Sequence, residues 1–263
     1  MTFKDQLNRS IYLKGVPKRI VSLVPSQTEL LCDLGLKGSL VGITKFCVHP
    51  CDVKAETTVV GGTKQIHLDK LKALRPDIIL CNKEENTKAI VKACELISVV
   101  HVSDILSIND SLELIGQYGE IFNKERKAAV LIDTIKNEIE EFQNFIKNKP
   151  VLKVAYFIWR SPWMVAANST FINYLLELNR FENIYKDKER YPEIEFKALD
   201  SGKKVDLVLL SSEPFPFKES HKKEIKQYYP NATIVLADGE MFSWFGSRLL
   251  KAFKYFKMLR LNL

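Results

Sequence analysis

Short apolar runs alternate with amphipathic stretches along nearly the whole chain, and the alternation takes the same form on both sides of one long uninterrupted helix. Residues 19–24 (Arg-Ile-Val-Ser-Leu-Val) read as a buried strand, followed by Pro25-Ser26 and a helix over 27–34. Ser26, with Glu29 three positions on, forms a capping-box pattern, and Gly35 stands where a helix C-cap belongs. Residues 40–43 are the next strand, 44–50 a loop and 61–63 (Gly-Gly-Thr) a turn. A helix from Leu68 leads through Asp77 into the strand 78–80 and a polar loop over 81–86. Residues 87–96 are then helical and 99–102 form a strand. Strands separated by helices of this length predict βαβ units and a parallel sheet.

From Lys124 to Lys147 the apolar positions are Ala128, Leu131, Ile132, Ile135, Ile139, Phe142 and Ile146, in steps of three and four with no Gly or Pro between them. This predicts a rod of about 36 Å at ~1.5 Å per residue, long enough to run beside two lobes and join them. Pro150 stops it. The second half then repeats the first. After a strand at 152–158, a loop at 159–163 and a helix at 171–178, residues 196–206 lead through Asp206 into the strand 207–210 and the polar loop 211–214. Residues 68–86 contain the same succession: short helix, acidic residue at the strand start, apolar strand, polar loop. A helix near 220–229, a strand at 233–236, a loop at 238–244 and a basic amphipathic helix at 246–259 complete the chain. Packing of that last helix on its own sheet accounts for its pattern. The expected fold class is α/β, with two Rossmann-like lobes of parallel sheet joined by a long backbone helix. The expected domains are 1–123, 124–149 and 150–263, with a ligand cleft between the lobes. Clefts of that kind hold ligands, so the pattern points to a binding protein before an enzyme.

A chain of 263 residues with 46% hydrophobic and 27% charged positions can bury a real core. The net charge of +7 fits an anionic partner or a generally basic surface. The lysines are scattered and no nucleic-acid motif is present, so nucleic acid is not an expected partner. No run approaches a membrane span, and stable membrane insertion is not expected. Residues 1–9 carry neither a signal-peptide apolar stretch nor a lipidation cysteine, which reads as a cytoplasmic start. Five cysteines, an odd count, form no disulfide framework, and Cys32 and Cys81 are expected as small core residues. Nucleotide-loop, nucleophile-elbow and zinc-protease signatures are all missing, so no catalytic residues are expected. A monomer is expected.

In doubly wound sheets the ligand sits outside the carboxyl ends of the strands. The first lobe offers Pro25, Ser26, Lys45, Phe46, Gly62 and Asn82 there; the second offers Trp159, Arg160, Trp163, Phe215, Phe217, Trp244 and Arg248. All three tryptophans fall in this set. Stacking surfaces beside a few polar anchors suit a large flat ligand, although the same rings also suit closing a core beneath loops. Arg160 and Arg248 would anchor anionic groups by their forked guanidinium, the alternative being ordinary ion pairs. Cys47-Val-His49-Pro-Cys51 is the compact cluster of metal-type ligands. On an extended segment Cys47, His49 and Cys51 converge on one side, but a freestanding zinc site wants a second pair. The alternative gives His49 or Cys47 one axial position on a metal already held in a chelate.

Ile20-Val-Ser-Leu-Val-Pro-Ser-Gln-Thr-Glu-Leu-Leu31, Leu40-Val-Gly-Ile-Thr44, Val60-Gly-Gly62, Leu71-Lys-Ala-Leu-Arg-Pro-Asp-Ile-Ile-Leu80 and the long mid-chain helix together resemble the helical-backbone (class III) substrate-binding proteins of ABC importers. The first-lobe motifs look closest to the cobalamin and ferric-siderophore branch. The resemblance implies two α/β lobes joined by a stiff helix, periplasmic residence, no intrinsic cofactor, and cobalamin, haem or an iron chelate as ligand. It also implies an acidic residue on each lobe that docks on basic pockets of the permease, with Glu84 or Glu85 in the first lobe and Glu213 or Glu219 in the second. The expected function is non-catalytic capture of a metal chelate or corrinoid for import. The second expectation is a cytoplasmic metal or metallocofactor-binding protein, or a metal-dependent enzyme, using Cys47, His49 and Cys51.

Overall fold

A single buried carboxylate holds the start of the chain in place. In the computed structural model, which describes residues 1–196 and 204–263, β1 (Thr2–Lys4) and β2 (Ser10–Tyr12) form an antiparallel hairpin. Asp5 Oδ1 accepts the backbone N–H groups of Leu7 and Arg9, and Oδ2 accepts from Arg9 Nε and from the backbone N–H of Val102. Then come β3 (Ile20–Ser22), α1 (Pro25–Asp33), β4 (Leu40–Ile43), α2 (Val53–Glu56), β5 (Thr58–Val59), α3 (Leu68–Ala73), β6 (Ile78–Asn82), α4 (Lys88–Glu95), β7 (Val99–Ser103), α5 (Ile108–Ile121) and the long α6 (Glu125–Ile146). The first sheet is parallel in the order β5-β4-β3-β6-β7. Chain order reverses between β3 and β6, so the loops leaving these two strands flank a topological switch point.

The remaining elements are β8 (Leu152–Trp159), β9 (Met164–Val165), α7 (Phe171–Leu178), β10 (Phe181–Asn183), β11 (Leu207–Ser211), α8 (Glu219–Lys226), β12 (Thr233–Ala237), α9 (Gly239–Ser243) and α10 (Leu249–Leu261), with a 3₁₀ turn at Gly246–Arg248 before the last. Their sheet runs β10-β8-β11-β12, parallel throughout, with β9 antiparallel on β8. The second switch point lies between β8 and β11. Two compact units result: Met1–Asn137 with Trp244–Leu250, and Glu138–Ser243 with Lys251–Leu263. The division runs through α6 rather than at its ends, and a short late segment belongs to the first unit. No helix among the described residues is long and apolar enough to cross a membrane.

The repeat seen in the sequence has a structural counterpart at the strand starts. Asp77 Oδ2 accepts the backbone N–H groups of Lys18 and Arg19, and its own N–H donates to the Arg19 carbonyl. Asp206 does the same one unit later: its Oδ2 accepts from Lys153 N, and its N–H donates to the Lys153 carbonyl. Each acid thus clips the strand it leads into, β6 or β11, onto the start of its central neighbour, β3 or β8. The helix expected ahead of Asp206 falls largely on residues 197–203, outside the described residues.

Two local expectations are corrected. Helix α1 begins at Pro25 with Val24 as N-cap and no side-chain cap, so Ser26 and Glu29 do not form a capping box. Pro at the first helical position needs no N–H partner, and Glu29 is engaged elsewhere. Helix α5 lies where no helix was expected; Ser107 and Asp110 close it with a true capping box. Gly35 does end α1: at φ +80° it donates to Cys32 O while Leu36 N reaches Leu31 O, a Schellman closure.

Each unit has its own core. In the first, Val21, Leu23, Val60, Leu71, Ile79, Cys81, Cys94 and Val102 are all buried. In the second, Ala155, Phe157, Val208, Leu210 and Ile225 do the same. Along α6 the buried positions are Ala128, Ile135, Phe142 and Ile146, the inner line of the expected stripe.

His101 on β7 is fully buried; Nε2 bonds Gln117 Oε1 at 2.9 Å and the ring meets Tyr118 edge-on at 5.3 Å. Burial pushes its pKa below the usual 6.5, outweighing Gln117 and Asp5, which raise it; Arg9 lowers it further. The folded state therefore binds this proton more weakly than the unfolded chain. Its contribution is present above about pH 6.5 and is lost as pH falls toward the folded pKa. Denaturant midpoints at about pH 7.5 and about pH 5.5 should drop on acidification, and the drop should be smaller in His101→Gln.

Candidate functional site

A row of aromatic side chains lies at the β8/β11 switch point. Glu213-Pro214-Phe215-Pro216-Phe217 leaves β11, and each proline biases the residue before it toward extended backbone. Residues 212–215 bend, and Phe217 N donates to the Phe215 carbonyl at 2.9 Å, a tight turn about Pro216 that brings Phe215 and Phe217 to 4.8 Å between centroids. Trp159, at the end of β8 and 38% exposed, meets the Phe215 ring at 5.8 Å. Phe217, buried, lies nearly parallel to Trp163 (6.0 Å, 14°), and Trp163 in turn meets Phe157 of the core and Phe196. Phe196 stacks on Tyr228 at 3.7 Å. The row therefore grades from exposed Trp159 to buried Phe217, and its inner end is core.

Helix α8 supplies polar residues to this row. His221 packs edge-on against Phe215 and Phe217 at 5.4 and 5.5 Å, and its Nδ1 accepts the Lys218 backbone N–H at 2.8 Å. The neutral ring thus carries its proton on Nε2. Arg160 forks onto Glu224, Nε to Oε2 at 2.9 Å and Nη2 to Oε1 at 3.3 Å, beside the Trp163 face. Its expected role as a free anion anchor is corrected: Glu224, 64 residues on, already answers its charge. Sequence reasoning missed His221 and Glu224 on α8 and Tyr228 in the turn after it, although their 3- and 4-residue spacing was a usable signal.

In the first unit, the loop after β4 lies beside the Gly61–Gly62 turn, and Lys45 N donates to Gly61 O at 2.7 Å. Phe46 is 50% exposed with Lys45 Nζ 5.0 Å from its ring centre, and a Cβ on Gly62 would come within 3.1 Å of that ring. Gly62 therefore serves by being small. Pro25, Ser26 and Gly62 are buried. Asn82 is buried too, its Nδ2 bound to Ser103 and its Oδ1 accepting from Glu84 N and Glu85 N. Asn82 shapes the loop that carries these acids and leaves no polar atom for a ligand.

The three-ligand metal reading is corrected. Residues 44–52 are successive turns rather than an extended strip, so alternate residues do not converge. Cys47 is fully buried against Thr28 Oγ1 (3.1 Å) and Thr44 Oγ1 (3.3 Å), and burial pushes its thiol pKa up, away from the thiolate a metal needs. Cys51 is exposed. No group of three His, Cys, Asp or Glu among the described residues is arranged to hold a metal ion. His49 lies edge-on to Trp244 at 5.4 Å.

Trp244 and Arg248 are buried in the first unit rather than presented to solvent. Arg248 Nε donates to Glu29 Oε2 at 2.8 Å, both side chains nearly inaccessible, and the guanidinium covers the Trp244 ring at 4.9 Å. Gly246 N donates to Ser111 Oγ at 2.9 Å, and at φ +79° with a prospective Cβ 3.3 Å from Leu30 Cβ this position requires glycine. Among the acids expected to dock a permease, Glu213 Oε1 accepts from Ser243 Oγ at 2.6 Å, whereas the Glu219 side chain is 74% exposed beside Lys222.

The family of periplasmic binding proteins matches residues 20–228. An uncharacterised ABC transporter substrate-binding lipoprotein of Bacillus subtilis, YvrC, is 28% identical over 209 residues, covering 76% of this chain and 65% of its own length, a little under two thirds. A vitamin B12-binding protein of Pectobacterium carotovorum is 22% identical over 90% of this chain and 86% of its own. Among solved structures, a periplasmic heme-binding protein from Pseudomonas aeruginosa superimposes with a TM-score of 0.81 at 19% identity, over 94% of this chain and 93% of that one. The likeness to that structure is one of fold.

The two arginines expected to share a role should separate in stability measurements. Glu29→Gln strips a buried guanidinium of its carboxylate and should cost about 3–5 kcal/mol in urea unfolding. Glu224→Gln breaks a half-exposed pair and should cost less than about 1 kcal/mol in the same experiment.

Proposed function

The chain belongs to the periplasmic binding protein family, and on that premise we propose that it is the ligand-capturing component of an ABC-type importer, non-catalytic, with a metal chelate or corrinoid as its cargo. The observation that carries this reading is the aromatic row at the β8/β11 switch point, where Trp159 is exposed and Phe215 half-buried, backed by the buried Phe217. A rigid, partly exposed ring surface on a packed base suits a large planar or greasy ligand, because little side-chain entropy is lost on contact. Phe46, held against Gly62 with Lys45 beside it, is a partly exposed ring surface on the first unit. The names of relatives support the cargo class: vitamin B12 for the Pectobacterium protein, heme for the Pseudomonas structure.

Electrostatics narrows the cargo. With Arg160 on Glu224 and Arg248 on Glu29, neither arginine is a free anchor for a polyanion. Lys45 and the His221 Nε2–H remain as polar contacts. A ligand whose periphery is mostly uncharged, as amide-rich corrinoids are, suits this surface better than a chelate with several carboxylates. His49, beside Trp244, is the residue of the 47–51 cluster that we assign to the metal of such a ligand. For the permease, we assign docking to Glu219 on the second unit and to Glu84 or Glu85 on the first. The protein itself holds no cofactor in this reading, and acts as a monomer.

The test is a tryptophan-fluorescence titration with cobalamin, haem and a ferric siderophore. One-to-one saturable quenching by cobalamin is expected. Trp159→Ala and Phe46→Ala should each weaken it by about 1–3 kcal/mol while leaving the thermal midpoint nearly unchanged. Unaltered affinity in both variants would remove these surfaces from the site, and no binding by any of the three ligands would overturn the cargo class.

A further inference from the structure

At the strand starts of the second unit, two arginines carry positive charge that no acid among the described residues answers. Arg260, in the last turn of α10, is 3% exposed. Its Nη2 donates to the Pro150 carbonyl at 2.6 Å and its guanidinium lies 4.8 Å from the centre of the Phe181 ring. Its Nε and Nη1 are buried and donate to nothing, and the Nε of Arg180 is in the same condition. Arg180 directly precedes β10, and its carbonyl accepts the Leu152 N–H at the start of β8. Pro150, Leu152, Arg180, Phe181 and Arg260 therefore meet at one end of the sheet. Burial and the neighbouring Arg180 charge both push the Arg260 pKa down.

The acids on the surrounding elements are engaged elsewhere. Glu177 accepts from Asn173 Nδ2 at 2.9 Å, Glu182 pairs with Lys186 at 2.9 Å, and Glu141 pairs with Lys257 at 3.1 Å. Buried N–H donors in native proteins almost always have a partner. Water would satisfy these donors, and would also bridge to the unpartnered Asn179 Oδ1 nearby in sequence, but it would leave two like charges unanswered in a desolvated place.

We propose that a small inorganic anion, a halide or an oxyanion such as phosphate, is held by Arg260 and Arg180 at the strand starts of the second unit. The guanidinium fork suits either shape, and enclosure of the donors restricts the ligand to a small one. Such an ion acts as a structural counter-charge that ties the end of α10 to β8 and β10, independently of any cargo.

Thermal unfolding of the full chain at constant ionic strength tests this, with gluconate replaced stepwise by chloride or by phosphate. The midpoint should rise by about 2–4 °C once the bound anion is at about five times its dissociation constant, and then flatten with the logarithmic form of ligand linkage. Arg260→Gln should abolish the rise. If that variant does not fold, Arg180→Asn serves, since Asn tolerates the φ of 56° there. Crystals grown in bromide should show an anomalous peak within hydrogen-bond reach of both guanidiniums. Equal midpoints in gluconate, chloride and phosphate would overturn the proposal. A bromide peak with no anion-dependent midpoint would mark an adventitious ion only, and would overturn it as well.

Discussion

The ion pair between Glu29 and Arg248 is the constraint on which the most distant parts of the chain depend. It joins residues 219 apart and is almost fully removed from water. A buried charge pair of this kind contributes little net stability, because desolvation offsets most of the attraction, yet losing either partner is severe. Its effect is one of registration. Trp244–Leu250 leaves the second unit's chain, packs into the first unit, and returns. Arg248 over Trp244, Trp244 against His49, and Gly246 against Leu30 all follow from where that segment is pinned.

Each unit is organised by a second, smaller electrostatic device. Asp77 and Asp206 stand at the start of the strand beside the central one and accept backbone N–H groups from that neighbour. A carboxylate bonded to the start of the neighbouring strand fixes the register of the parallel pair at that end. Equal registration in both sheets puts equivalent loops at the two switch points. What those loops carry then differs: a hydrogen-bonded Asn82 turn in one unit, a Pro-Phe-Pro-Phe strip in the other. The first is closed polar structure and the second an aromatic surface.

Arginine shows how burial and partner decide function. Arg160 and Arg248 both stand near tryptophan in loops, so their local sequences look alike. One is half-exposed on Glu224, the other sealed on Glu29, and Arg260 is sealed with a carbonyl and a ring as its neighbours. The charge each presents outward is set by the acid that folding brings to it. The surface proposed for the ligand is therefore aromatic and only weakly cationic, although the chain as a whole carries +7.

Most strands and helices were legible from periodicity, because burial of one face imposes its period on consecutive residues. Residues 40–43 and 171–178 fall on β4 and α7 to the residue. The acid-led strand repeat and the Gly35 stop were legible for the same local reason. Helix α5 was missed although Ser107 and Asp110 announced it, and the 3-4 spacing of His221, Glu224 and Tyr228 went unread. The ligand list divided along a physical line. The neighbouring placement of Phe215 and Phe217 could be read from the segment that carries them, because it depends on local geometry. The partners of Cys47, Asn82, Arg160 and Arg248 could not be read in this way, because they include side chains 19, 21, 64 and 219 residues away. The sequence by itself determined the α/β architecture, its repeated unit and the aromatic content of its loops, since all three are written in neighbouring residues. Only the tertiary structure decided which cations are neutralised, which thiol is sealed and which rings remain open, since each depends on contacts made after the chain has closed on itself.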